Sequence, residues 1–267
     1  MRSIRSDPVL GTPQFALMPR ASLRPAGPGR NRLSGRVLSS RFVFENLTLS
    51  PGLALIFDMD GVVLHSTDLH MKAWILYLER NGVEDTSVIY RMLGKRNDQI
   101  VHEIFGRDLP EAEVVEHGAA KERLYRELMT PVLEQSYVAG VREFLRAAHA
   151  RGIRLALATN AEPLNVDFVL DGAGLRPLFS AIVDGDQITH AKPDPEVFLT
   201  AAARIGVEPR NCVIFEDSPG GIQAALSAGG RVVGLLTTEK AYPQAAITMT
   251  DFTSDKLLPW LADQRPV

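Results

Sequence analysis

The stretch Leu53-Ala54-Leu55-Ile56-Phe57-Asp58-Met59-Asp60-Gly61-Val62 decides the reading of this chain. Five apolar residues of strand length run straight into two carboxylates. A continuous apolar run ended by turn residues is what a strand buried on both faces looks like. Residues i and i+2 of a strand share a face, so Asp58 and Asp60 are expected to point into one pocket, with Gly61 allowing a sharp exit. Two acids held together repel unless a cation neutralises them or one keeps its proton. Taken alone, the same residues would also serve as a capped turn.

Further along, four more short apolar runs read as buried parallel strands: Ile153–Thr159, Ala181–Val183, Cys212–Glu216 and Arg231–Leu235. Helical patterns lie between them, over Gly140–Arg151, Pro163–Gly172, Asp194–Ile205 and Pro219–Ala228. Strands alternating with helices predict an α/β fold, a Rossmann-like doubly wound parallel sheet. One interval breaks the alternation. Between Asp60 and Gly140 only helical periods occur, over Asp68–Asn81, Asn97–Phe105 and Ala112–Leu133. An insert directly after the first strand would stand over the carboxyl edge of the sheet, where such folds bind ligands. The chain therefore divides into a core of residues 52–65 and 140–267, an inserted α-helical cap of residues 66–139, and residues 1–51 ahead of both.

The run Val213-Ile214-Phe215-Glu216-Asp217-Ser218-Pro219 delivers a second pair of carboxylates to the same edge. Four acids there suit a hard divalent cation such as Mg²⁺, and the pair can also cap the following helix. Two weaker signals fall between the acidic pairs. Ala158-Thr159-Asn160-Ala161 ends a strand with a hydroxyl and an amide that can donate to phosphate oxygens. Ala191-Lys192-Pro193-Asp194-Pro195 holds a lysine between prolines, where it could offset phosphoryl charge.

In that order, D-x-D-G, T-N, K-P and E-D resemble the haloacid dehalogenase superfamily, from about Leu53 to Leu236, in its branch of β-phosphoglucomutases and sugar phosphatases. The resemblance implies that Asp58 is the nucleophile that becomes an aspartyl phosphate. Asp60 would be the acid for the leaving oxygen and then the base for water. Thr159, Asn160 and Lys192 would hold the phosphate. Mg²⁺ would be bound by Asp58, the carbonyl of Asp60, Glu216 and Asp217. Dehalogenases of the superfamily lack the second aspartate, so Asp60 points to phosphoryl transfer. His70 and Lys121 match a histidine and a cap lysine that face the active site in the mutase-like branch. Arg96 of Gly94-Lys95-Arg96-Asn97 falls where that branch places a substrate-reading loop, although mutases there carry Ser-Arg. Mutases also resemble Ala-Ser-x-Ser where this chain has Ala158-Thr159-Asn160-Ala161. These departures favour a Mg²⁺-dependent phosphatase for a small sugar or polyol phosphate over the alternatives, a β-phosphoglucomutase-type enzyme or a non-catalytic binding protein of this fold.

Composition limits the other classes. Residues 1–50 hold eight arginines against Asp7 and Glu45, a net +6, so the other 217 residues carry −9 of the chain's net −3. An acidic body gives no reason to expect nucleic acid as a partner. No apolar run nears the roughly 18–20 residues of a membrane span. The single cysteine, Cys212, excludes an intrachain disulfide and a Cys-based zinc site. Residues 1–51 are rich in Arg, Pro and Gly without period, and read as a disordered extension or a start placed too far upstream of Met18, the alternatives being an organelle transit peptide or a nucleic-acid-binding arm. A cytoplasmic monomer acting on a small metabolite is the resulting expectation, with an organelle as the alternative.

Overall fold

The computed structural model describes residues 44–91, 95–106 and 108–267. Its sheet comprises β1 (Ala54–Phe57), β2 (Arg154–Ala158), β3 (Ala181–Val183), β4 (Cys212–Glu216), β5 (Arg231–Leu235) and β6 (Ile247–Met249), in the order β3-β2-β1-β4-β5-β6. Every pairing is parallel. The helices are α1 (Thr67–Arg80), α2 (Asn97–Phe105), α3 (Glu111–Met129), α4 (Leu133–Ser136), α5 (Val141–Ala150), α6 (Pro163–Gly172), α7 (Glu196–Arg204), α8 (Pro219–Ser227) and α9 (Leu257–Asp263).

The apolar run of β1 is divided between two cores by its pleat. Leu55 and Phe57 join the cluster built with α5, α6 and α9, while Ala54 and Ile56 join the one built with α7 and α8. A strand buried on both faces has no polar positions to spare, which is why this stretch is so legible. Phe57 stacks on Phe215 of β4 at 4.6 Å between ring centroids. A third core, with Trp74, Leu78, Ile100, Val101 and Val114, belongs to the inserted helices alone. The two passages of chain between sheet and insert run side by side: Leu64 bridges Tyr137, and the Val138 amide donates to Val63.

Two expectations need correction. The helical stretch Ala112–Leu133 is interrupted, because Pro131 cannot continue an α-helix. α3 ends at Met129, and a tight turn at Thr130–Val132 leads into α4. Residues 44–51 do not belong to an extension. Phe44 and Leu47 are buried in the core, and Phe44 meets Phe144 edge-on at 5.4 Å. The expectations for residues 1–43, Met18 included, lie outside the described residues. Finally, β6 and α9 carry no early signal, being three and seven residues long. Among the described residues no helix is long and apolar enough to cross a membrane.

Candidate active site

The carboxyl ends of β1, β2 and β4 open beneath the inserted helices into a cavity of about 650 Å³. Asp58, Asp60, His70, Arg96, Lys121, Thr159, Asn160, Lys192, Glu216 and Asp217 all line it. Residues far apart in sequence meet here because parallel strands place all their C-terminal ends on one edge.

Asp58 follows β1 directly and is buried. The strand has ended by then, so a tight loop, rather than the pleat, delivers Asp60. The amides of Val63 and Leu64 donate to the Met59 carbonyl, and that of Gly61 donates to Leu64. Gly61 has φ +73°, and a Cβ there would lie 1.8 Å from Oδ2 of Asp217, so this turn and the second acidic pair can approach only across a glycine.

Lys192 is the hub of one side of the cavity. Its Nζ donates to Asp58 Oδ1 at 2.8 Å, Glu216 Oε1 at 2.6 Å and the Ala158 carbonyl at 3.1 Å. The loop that carries it is tied down by Glu196 at the start of α7, which accepts the amides of Thr189 and His190. Asn160 Oδ1 accepts the Lys192 amide at 3.3 Å, and Thr159 Oγ1 accepts that of Ala161 at 3.1 Å. Both side chains therefore shape the loop and retain donors facing the cavity.

Glu216 is fully engaged. Its Oε2 accepts the amides of Asp217 and Ser218 and the Ser218 hydroxyl, while Ser218 caps α8 by accepting the Gly221 amide. Asp217 accepts from the hydroxyls of Thr237 and Thr238, which follow β5. Asp58, Glu216 and Asp217 each offer a carboxylate oxygen, all within 4.8 Å of one another, a set that can hold a metal ion. Charge crowding shows in their protonation. Burial, with Glu216 and Asp60 adding repulsion against Lys192, pushes Asp58 up to about 7. Burial, then Glu216 and Asp58, also raises Asp217 well above the usual range. Lys192 moves up, since the two carboxylates outweigh its own burial.

Asp60 behaves oppositely. Burial would raise it, but His70 and Ser66 outweigh that and hold it below the ordinary value. Ser66 stands at the N-cap position of α1, yet gives its hydroxyl to Asp60 Oδ1 at 2.5 Å rather than capping the helix. His70 Nε2 lies 3.4 Å from the same oxygen, its ring stacked on Tyr125 at 3.7 Å. Lys121 Nζ approaches His70 Nδ1 at 2.9 Å.

Arg96 sits on the cap side, donating to Asp98 Oδ1 at 3.3 Å and to the Gly185 carbonyl at 3.2 Å. Several site residues escaped the sequence reading: Ser66, Thr237, Thr238, Glu122, Asn97 and Asn165. Thr237 and Thr238 could have been found, since they stand just past a strand's C-terminal end, as Thr159 does. Glu122 and Asn165 have the ordinary look of helix residues, and only packing brings them to the cavity.

Residues 53–229 match the haloacid dehalogenase-like hydrolase family, and the chain belongs to it. The chain is thus an enzyme of a hydrolase family. It is 34% identical over 176 residues to the fructose-1-phosphate phosphatase YqaB of Escherichia coli (strain K12), covering 66% of this chain and 92% of that one. It is 31% identical over 188 residues to the β-phosphoglucomutase of Bacillus subtilis (strain 168), covering 68% and 82%. The crystal structure of a β-phosphoglucomutase from Clostridium difficile superposes with a TM-score of 0.66 at 27% identity, covering 76% of this chain and 93% of the other.

Proposed function

We propose that this chain is a Mg²⁺-dependent phosphatase that hydrolyses a sugar or polyol phosphate through an aspartyl phosphate on Asp58. The observation that carries the reading is the pairing of Asp58 with Lys192 at 2.8 Å beside a second carboxylate, Asp60, held apart from it by Ser66 and His70. Relatives named as a phosphatase and a phosphoglucomutase support the phosphorylated substrate.

The donor set fits the ion. Three buried carboxylates face one ammonium among the described residues, the donors are all oxygens, and Asp58 and Asp217 are both pushed toward protonation. Such a set favours a hard divalent cation. Asp58, Asp217 and the Asp60 carbonyl would hold it, with Glu216 contributing charge behind them. When bound, Mg²⁺ neutralises the carboxylates and polarises a phosphoryl oxygen.

Lys192, Thr159 and Asn160 would orient the phosphate. The Asp58 carboxylate attacks phosphorus as the ester P–O bond breaks, and Asp60 gives a proton to the departing alkoxide. Asp60, now ionised, takes a proton from water, which attacks the same phosphorus. The Asp58 O–P bond then breaks and orthophosphate leaves. A cation against Asp58 would pull that carboxyl down, and a phosphate dianion near Asp60 would push it up. Those are the shifts that a nucleophile and an acid require. The paired passages at residues 64–67 and 137–140 would act as hinges for the cap.

A second reading, the mutase, draws on the contact between His70 and Lys121. One experiment tests both: orthophosphate release with Mg²⁺ across a panel of sugar and polyol phosphates. The panel includes β-glucose 1-phosphate with a trace of glucose 1,6-bisphosphate. Asp58→Asn should lower turnover by about 10³-fold or more. Formation of glucose 6-phosphate without net phosphate release would establish the mutase instead. Near wild-type turnover in Asp58→Asn would overturn both.

A further inference from the structure

The cap wall of the cavity contains a buried acid that the proposed reaction does not use. Glu122, on α3, is 4% exposed, and Lys121 beside it is 2% exposed. Consecutive helix residues do not ordinarily face each other, yet here both side chains swing toward the cavity and meet. Glu122 Oε1 accepts from Lys121 Nζ at 2.6 Å and from Asn97 Nδ2 at 2.7 Å. Its Oε2 accepts from Asn165 Nδ2 at 2.8 Å. That amide is fixed in orientation, because Arg126 donates to its Oδ1 at 2.7 Å and to Glu162 at 2.5 Å. A carboxylate offers about four acceptor positions, and three are filled by side chains. Burial raises Glu122, but Lys121 and then His70 outweigh it and bring the carboxyl down to about 2, so it is ionised across the working range.

The other cations lining this wall also have acidic partners, in pairs more open to solvent than Lys121 and Glu122. Arg96 pairs with Asp98, and Lys95 with Glu103 at 2.8 Å. Among the described residues, each lysine and arginine on the cap side of the cavity therefore has an acidic partner. A second phosphate at the far end of a substrate would meet an already neutralised lysine and a carboxylate in a desolvated pocket, where like charges repel strongly. Hydroxyl groups would instead find an acceptor position on Glu122.

Resting on the phosphatase reading above, we infer that Glu122 is a specificity-determining residue: by neutralising Lys121 it makes the site take phosphate monoesters with a hydroxylated, uncharged tail and refuse bisphosphates. The inference separates this chain from a mutase, which must hold a bisphosphorylated intermediate.

The test compares kcat/KM for orthophosphate release from matched pairs, fructose 1-phosphate against fructose 1,6-bisphosphate and glucose 6-phosphate against glucose 1,6-bisphosphate. The wild-type chain should favour the monoester of each pair by about tenfold or more. Glu122→Gln, which frees Lys121, should lower that preference by about tenfold, raising KM for the monoesters while improving the bisphosphates. A merely structural role would lower both classes together and leave the ratio alone, and that result overturns the inference. So does equal use of both classes by the wild type, which needs no variant and leaves the phosphatase reading standing. Release from neither class would fell the phosphatase reading itself, and this inference with it.

Discussion

Glu122→Gln also makes a thermodynamic prediction that is independent of substrate. The carboxyl moves from an ordinary 4.5 to about 2 on folding. At 1.36 kcal/mol per unit, this contributes about 3 kcal/mol to stability at pH 7. The folded value is depressed, so the contribution is complete above the unfolded value near 4.5 and is lost as pH falls through about 2. About 1.5 kcal/mol should remain at pH 3. An amide cannot substitute. Lys121, Asn97 and Asn165 all donate to this group, and a glutamine has one acceptor oxygen while its NH₂ must face a donor. Urea unfolding of both chains at pH 7, 4 and 3 should show a gap of about 3 kcal/mol that narrows to about half at the lowest pH. Titrating groups that do not interact with Glu122 are common to both chains and cancel in the difference. A gap constant with pH, or absent at pH 7, would refute the argument that Glu122 is held ionised by its partners.

Three further outcomes are expected. Mg²⁺ at about a hundred times its Kd should stabilise the folded chain by about 2.7 kcal/mol. Differential scanning calorimetry reads the rise, and Asp217→Asn should remove most of it. Gly61→Ala forces a side chain onto φ +73° and toward Asp217 Oδ2. A cost of about 1–3 kcal/mol from the backbone alone is expected, along with a weaker Mg²⁺ response, both measurable by denaturation with and without the ion. Leu47→Ala should cost about 2–5 kcal/mol, because the side chain is 2% exposed within the main core. A loss below 0.5 kcal/mol would mean that residues 44–51 contribute nothing to the fold.

Much of the architecture was legible because burial on both faces leaves a continuous apolar signature. β1, β2, β4 and β5 each announce themselves in this way, and α6 was placed at its observed bounds, Pro163–Gly172. β6 and α9 were not legible. They are short edge pieces whose burial depends on partners far away in sequence. Phe44 and Leu47 were lost in an Arg- and Pro-rich setting, and it is the rings and side chains of α5 and the sheet that give them a place.

The site divides along the same line. Its chemistry follows from sequence alone, since carboxylates, a hydroxyl, an amide and a lysine stand at strand ends, and a parallel sheet must gather those ends on one edge. Which groups actually touch was left to tertiary structure. Thr237 and Thr238 fix Asp217, Ser66 leaves its helix to hold Asp60, and Asn165 on α6 reaches Glu122 on α3. Those contacts join elements whose distance in space has no local signature. Electrostatics then sets similar groups apart. Asp58 and Asp60 are identical in kind and two positions apart, yet one is driven up and the other down. Only the folded chain decides how deeply each is buried and which charges it faces, and the free energy of a charge depends on both.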